Sequence, residues 1–334
     1  MNSPAVPGSI LRSATHVTAN RYRFCACLFL SAISVCFAAA PSFAQRLPLT
    51  PRLHTGQILF YQIDFNGSRN MKTESRVTSP QMPPTANLNA SALLQVEVLE
   101  ANASGLHLKT YYSERNSSAQ SPGPRNNQNL DSAAPDKNIE VSIAPNGAAS
   151  RIKGFDQLST AEQFTWNDWL SRFTSSMSYP KTGVRAGQKW QRDKAESAAS
   201  PIAALSWKAN YEYVRDEPCA FRGSAAKSAP EKSPSPPQTC AIVFVRSELR
   251  QKSSPKNSTP EDYKLRNLKT RGTATGKNET ILYISRSTGL LVRSTEDAQQ
   301  AMSVLVALAD GSNEVHYTLD AKSHSEISLL PDSQ

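Results

Sequence analysis

Side chains that commonly perform catalysis or bind metal ions are sparse in this sequence of 334 residues. Beyond residue 45 the chain has four histidines, which are His54, His107, His316 and His324. The last two fall in one predicted strand and share a face, but they are ~27 Å apart at the strand rise, which excludes a shared metal ion. No G-x-S-x-G elbow marks an activated serine. We therefore expect a protein that is not an enzyme and needs no cofactor.

Acidic residues occur in close pairs, which could supply a general acid and a general base. The pairs are Glu97 with Glu100, Glu261 with Asp262, and Glu296 with Asp297. Neighbouring carboxylates of this kind are commonly solvated, so we interpret them as surface residues. A hydrolase with an unrecognised site is accordingly the third reading of the sequence.

The first 44 residues have the order of features found in an export signal. Arg21 and Arg23 precede an apolar run over 24–40, and the small residues Ser42 and Ala44 occupy the two positions that a signal peptidase reads. The alanine-rich leader is typical of bacteria. We expect cleavage after Ala44, a mature chain that begins at Gln45 without a transmembrane segment, and a location in the periplasm or outside the cell.

The charge of the chain is modest once the leader is removed. Three arginines and no acidic residues leave with it, so the formal charge falls from +9 to +6. Lysine and arginine are scattered through predicted loops, and no element interleaves basic residues with aromatic ones as a nucleic-acid platform would. We therefore predict no nucleic-acid partner.

Two cysteines, Cys219 and Cys240, remain in the mature chain. A lone pair in an oxidising compartment predicts a disulfide. A metal site is the alternative, but the spacing matches no zinc pattern and no histidine lies between or beside the two cysteines.

The elements that must position any site are one helix and many strands. The helix is predicted over 157–177, where Ser159 and Glu162 have the spacing of a capping box and Pro180 ends the pattern. At 100° per residue an apolar stripe forms from Trp166, Trp169, Leu170, Phe173 and Met177. The opposite, polar side comprises Asn167, Asp168, Ser171, Arg172 and Ser175.

The apolar stripe of this helix has two readings. The apolar face of an amphipathic helix is ordinarily buried in the protein core, so the stripe predicts core packing. A helix that turns two tryptophans and a methionine toward a sheet could also line an apolar cavity, because these side chains adapt to irregular shapes. The residues expected to bind a ligand in that case are Trp166, Trp169, Phe173, Trp207 and Tyr211.

Alternating apolar and polar residues predict strands on both sides of the helix. The cleanest pattern runs over 205–213 and has an aromatic face that includes Trp207 and Tyr211. Asn66-Gly67 predicts a turn after the first strand, and the polar stretch 115–137 predicts a disordered loop. We expect an α+β, mainly β protein with about a dozen antiparallel strands in a curled sheet around one central amphipathic helix.

This layout divides the mature chain into a first β half over 45–156, the helix over 157–177, and a second β half over 178–334, which could join the first in one domain. The dipeptide Gly-Gln begins two similar segments, Gly56-Gln57-Ile58-Leu59 and Gly187-Gln188-Lys189-Trp190. The first segment precedes the strands of the first half, and the second precedes those of the second half. The repeat hints at related halves.

The sequence resembles exported bacterial proteins of unknown function whose later half opens with a G-x-x-W segment, here Gly187 to Trp190, and contains a T-G-L hairpin, here Thr288-Gly289-Leu290. The curled sheet with a helix across it is also similar to the periplasmic lipoprotein-carrier half-barrel. The second resemblance implies a concave apolar surface that could hold a lipid or acyl chain. Neither brings catalytic residues with it.

The leading reading is therefore a non-catalytic exported protein that binds an apolar ligand or an envelope partner protein on its curled sheet. The alternative is a structural or assembly factor of the cell envelope that uses sheet edges and basic loops. A connected, aromatic-lined cavity would favour the first, a filled core would favour the second, and clustered acids or a histidine near a serine would favour the hydrolase.

Overall fold

The computed structural model describes residues 46–75, 85–120, 137–195, 200–219 and 238–331. The leader and its cleavage site lie outside them, as does most of the loop predicted over 115–137. The described strands are β1 (Ile58–Ser75), β2 (Thr85–Asn102), β3 (Gly105–Gln120), β4 (Lys137–Ile143), β5 (Ala149–Lys153), β6 (Lys189–Ala195), β7 (Leu205–Pro218), β8 (Thr239–Gln251), β9 (Leu268–Ser285), β10 (Leu291–Leu308) and β11 (Val315–Leu329). The described helices are α1 (Thr160–Phe173) and α2 (Glu261–Leu265).

All of these strands belong to one curled antiparallel sheet in the order β5-β4-β3-β2-β1-β11-β10-β9-β8-β7-β6. Strands that follow each other in the chain pair, except β5 and β6, which form the two edges of the sheet. The first and last strands also pair with each other, with Tyr61 opposite Leu329 and Ser75 opposite Val315. The predicted fold class, mainly β with one central helix, is confirmed. Both halves of the chain contribute to the same sheet.

The capping box that the sequence predicts is formed, and helix α1 begins at Thr160, directly after Ser159. The backbone N–H of Glu162 donates to Ser159 Oγ at 3.3 Å, and the backbone N–H of Ser159 donates to Glu162 Oε2 at 2.6 Å. The helix is shorter than the predicted 157–177, because short 3₁₀ turns at Phe155–Gln157 and Ser175–Ser178 flank it.

The sheet has an inner face, which is the face against which α1 packs. Alternation along the strands directs one set of side chains into this core, as the nearly complete burial of Leu59, Tyr61 and Ile63 in β1 illustrates. Large aliphatic residues from both halves complete the core beneath α1, so burial on this face accounts for the alternating pattern of the sequence.

Two predictions about strand ends are wrong. Asn66 and Gly67 do not form a turn, because β1 continues through them and Asn66 lies opposite Asn89 on one side and His324 on the other. Pairing on both sides satisfies the backbone there, which outweighs the local turn preference. The start of the predicted loop over 115–137 is also a strand, since β3 continues to Gln120 against β2.

The predicted disulfide between Cys219 and Cys240 is confirmed, with an S–S distance of 2.03 Å. It joins the chain just after β7 to the beginning of β8. Among the residues that the structure describes, no helix is long and apolar enough to cross a membrane.

Candidate binding surface on the inner face of the sheet

Three of the five predicted ligand-binding residues lie together beneath α1 in the packed core. Trp166 and Trp169 have no exposed surface, and Phe173 is 1% exposed. The ring of Trp169 stacks on Phe173 at 5.0 Å between centroids and lies 6.0 Å from the ring of Tyr61. Trp166 Nε1 donates to Thr110 Oγ1 at 3.0 Å. These contacts are those of close-packed core residues.

The other two predicted residues lie on the inner face of β7, apart from each other and at the margin of the core. Tyr211 stacks on Trp190 of β6 with 5.3 Å between centroids and an interplanar angle of 7°. Trp207 lies over Gly276 of β9, where a Cβ atom would come within 2.8 Å of Trp207 Cη2. The five residues therefore do not form one site.

Trp207 belongs to a second apolar group on the inner face, which we call the distal cluster. Its buried floor comprises Ile202, Leu205, Leu249, Ala274 and Val304. Partly exposed side chains pack over that floor, and these are Trp207, Met302, Val306 and Tyr317. The register aligns them, because Val304 lies opposite Tyr317 and Met302 lies opposite Ala274.

The distal cluster is separated from the aromatic core by distance along the strands. Helix α1 contacts β10 through Arg172, whose guanidinium lies against Ser294 and Glu296. Met302 is six positions beyond Glu296, which corresponds to ~20 Å at the rise of a strand. The apolar inner face thus extends well past the helix, and there its aromatic and sulfur-containing side chains remain partly exposed.

A buried ionic cluster fixes the edge of α1 against β10 and β11. Arg172 is 4% exposed. Its Nη2 donates to both carboxylate oxygens of Asp168 at 2.8 Å and to Ser325 Oγ, and its Nη1 donates to Ser294 Oγ at 3.1 Å. Glu296 Oε1 lies 3.6 Å from Nη2. One guanidinium therefore faces two carboxylates and two hydroxyls.

This cluster corrects the interpretation of three residues. Asp168 and Arg172 were expected on the solvent side of the helix, and Glu296 on a solvated face. All three lie between the helix and the sheet, because the curled sheet contacts α1 on its flank as well as beneath its aromatic stripe. Removal from water is offset by pairing of the charges and by hydroxyl partners.

The ionisation of Asp168 is perturbed by this environment. Burial raises the pKa of its carboxyl to about 6, since the charged form loses water. The guanidinium of Arg172 opposes this increase, and the nearby charge of Glu296 adds to it. The ionic cluster holds helix α1 against the sheet. Within the described residues, no group of three or more His, Cys, Asp and Glu side chains is arranged to hold a metal ion.

The sequence did not identify Met302, Val306 and Tyr317 as neighbours of Trp207. The alternation of Met302 with Val306, and of Val315 with Tyr317, is visible in the sequence and matches strands β10 and β11. What places them beside Trp207 is the order β11-β10-β9-β8-β7, which joins residues about 100 positions apart in sequence.

Comparison with known proteins gives no family. No family model matches the chain, and no curated protein matches it. Two solved structures are weakly similar. One is a mutant of the Rh. blastica porin, with 7% identity over 80% of this chain and 99% of the porin chain and a TM-score of 0.20. The other, titled "Asymmetric conductivity of engineered proteins", has 6% identity over 80% and 100% of the two chains and a TM-score of 0.18. Similarity at these TM-scores supports no statement about this protein.

Proposed function

We propose that this protein is an exported binding protein that holds an apolar chain, such as the acyl chain of a lipid, against the distal cluster. The observation that supports the proposal is the partial exposure of Trp207, Met302, Val306 and Tyr317 above a buried apolar floor on the inner face. Binding there involves no chemical step and uses none of the residues packed beneath α1.

The chemistry of these side chains suits a flexible apolar ligand. An acyl chain laid over the distal cluster removes apolar surface from water at about 25 cal/mol per Å². Methionine and tryptophan adapt to a chain without a fixed shape, because the thioether is unbranched and the indole presents a broad apolar ring. Export is supported by the leader pattern and by the disulfide between Cys219 and Cys240, which persists in oxidising compartments.

Quenching of tryptophan fluorescence by a brominated fatty acid tests the proposal on the mature protein. Of the four tryptophans, Trp166 and Trp169 are fully buried beneath α1, whereas Trp207 lies in the distal cluster. We expect saturable quenching in the wild type, which Trp207→Phe largely removes and Trp190→Phe leaves in place.

Two matched variants test whether the ligand binds at the distal cluster. Met302→Gln places an amide in the distal cluster and should weaken binding at least tenfold. Val214→Gln changes a residue that is 37% exposed at the β-bulge after Tyr213, outside the distal cluster, and should leave affinity unchanged. Absence of saturable quenching in the wild type would contradict the proposal. Equal quenching in the wild type and in Trp207→Phe would place the ligand elsewhere.

A further inference from the structure

The outer face of the sheet, opposite α1, brings together a serine, a histidine and a carboxylate from three adjacent strands. His316 Nε2 lies 3.0 Å from Ser303 Oγ, and His316 Nδ1 lies 3.7 Å from Glu74 Oε2. The register produces the group, because His316 of β11 lies opposite Leu305 of β10 on one side and opposite Glu74 of β1 on the other. Ser303 is two positions before Leu305, on the same face.

The two ring nitrogens of His316 are oriented as in a Ser-His-acid triad. With its proton on Nδ1, the ring accepts the Ser303 hydroxyl proton at Nε2 and presents Nδ1–H toward the Glu74 carboxylate. The histidine side chain is 38% exposed, so a substrate can reach it. Glu74 is 80% exposed, and at 3.7 Å it acts mainly through its charge.

A shallow, open depression of about 370 Å³ adjoins this pair. It is lined by Pro255, Arg271, Gly272, Thr273, Ser303, Leu305 and His316. Pro255 and Leu305 give it an apolar part, and Arg271 gives it a cation. One guanidinium nitrogen of Arg271 contacts Glu314 Oε1 at 3.1 Å, which holds the side chain at the rim.

Arg271 is the cation that lines this depression, and an oxyanion formed there would be stabilised by its charge. The nearby backbone amides are already paired, as the N–H of Gly272 shows by donating to the carbonyl of Pro255 at 2.8 Å. A guanidinium can take the role of a backbone oxyanion hole, because a positive donor near the developing negative charge stabilises the transition state.

From this geometry we infer that Ser303 is the nucleophile of an ester-hydrolysing site for esters of small carboxylic acids. Ser303 Oγ bonds to the ester carbonyl carbon while its proton passes to His316 Nε2. The bond to the leaving alkoxide breaks, and that oxygen takes the proton from the imidazolium. Water, deprotonated by His316, then attacks the acyl-serine, and the carboxylic acid leaves as Ser303 regains its proton.

This site lies on the face opposite the distal cluster and does not depend on the binding function proposed above. It departs from the expectation, drawn from the sequence, that the chain is not an enzyme. The contact between Ser303 and His316 is the histidine near a serine that would favour a hydrolase.

Hydrolysis of p-nitrophenyl acetate by the mature protein tests the inference. We expect turnover that falls on the order of 100-fold or more in Ser303→Ala and in His316→Gln, because nucleophile and base act as a unit. Glu74→Gln should lower it only severalfold, given the exposure of that carboxylate. His324→Gln is the matched control, since His324 lies on the same face of β11 and contacts Asp297 Oδ1 at 2.8 Å.

A covalent label gives a second measurement that does not depend on turnover. A fluorophosphonate probe should modify Ser303, identified by mass spectrometry of the labelled peptide, and His316→Gln should abolish the labelling while His324→Gln retains it. Hydrolysis and labelling that persist in Ser303→Ala would overturn the inference. So would a wild-type protein that neither hydrolyses the ester above the rate in buffer nor takes up the probe.

Discussion

Gln57 and Gln188 occupy the same position in two turns of the same geometry. The side-chain Oε1 of Gln57 accepts the backbone N–H of His54 at 3.3 Å, and the side-chain Oε1 of Gln188 accepts that of Arg185 at 3.2 Å. In both turns the glutamine N–H donates back to the carbonyl of that same earlier residue. The short sequence repeat thus corresponds to equivalent entries into β1 and β6, the first strand of each half.

The glycine in each of these turns has a positive φ, 83° at Gly56 and 78° at Gly187, and a Cβ atom at either position would meet no atom within 4 Å. Alanine there is opposed by backbone strain alone. We predict that Gly56→Ala and Gly187→Ala each lower the free energy of unfolding by about 1 to 2 kcal/mol. Denaturant unfolding should show similar midpoint shifts with unchanged slopes. A clearly larger loss at one position would show that the two turns are not equivalent.

The aromatic residues beneath α1 should behave as core residues. We predict that Trp169→Ala and Phe173→Ala each cost roughly 3 to 5 kcal/mol of unfolding free energy, because each leaves a cavity in close-packed surroundings. Phe164→Ala is the control. Its side chain is 51% exposed and, within the described part of the chain, contacts one aromatic ring, that of Phe65 at 4.9 Å between centroids, so about 1 kcal/mol is expected.

Chemical denaturation of the three variants, with and without the brominated fatty acid, measures these changes in unfolding free energy. The ligand should stabilise Phe164→Ala as much as the wild type. Losses near 1 kcal/mol at Trp169 and Phe173 would instead indicate incomplete packing beneath the helix.

The buried carboxyl of Asp168 should make stability depend on pH. Its pKa is about 6 in the folded protein and 3.8 for the ordinary side chain, so between these values the folded state retains a proton that the unfolded state has lost. The stabilisation is complete below pH 3.8 and is lost as the pH rises to 6. Relative to Asp168→Asn, the wild type should lose on the order of 2 to 3 kcal/mol over this interval.

Unfolding of both proteins in denaturant at several pH values between 4 and 7 measures this difference. Subtracting the variant removes the contribution of ionisable groups that do not interact with Asp168. A difference that stays flat, or that increases with pH, would mean that Arg172 holds Asp168 ionised throughout.

The features that the sequence predicted correctly depend on local chemistry. The capping box of Ser159 and Glu162 spans three residues, and the hairpin between β9 and β10 follows from the turn at Gly289, whose N–H donates to the carbonyl of Ser285 at 2.8 Å. The disulfide followed from counting cysteines. Each signal can be recognised without the tertiary fold.

The features that the sequence missed depend on which strands pair and in which register. Arg172 has the spacing of a solvent-facing residue, and only the curled sheet on the flank of the helix buries it. Ser303 and His316 meet diagonally across two strands, and Glu74 joins them from the other end of the chain. Periodicity predicts the face that a side chain occupies within its strand, but it does not predict the residue opposite.

The pairing of β1 with β11 lies at the middle of the sheet and joins the first described strand to the last. It sets Tyr61 directly opposite Leu329, which is 329 − 61 = 268 positions later in the sequence. Such a topology has a high contact order, and closure of so long a loop is entropically costly before any contact repays it. Folding is therefore expected to be slow, and a nascent chain cannot complete its central strand pair until β11 has been synthesised. Under the export that we propose, this delay would postpone folding until the whole sequence has crossed the membrane.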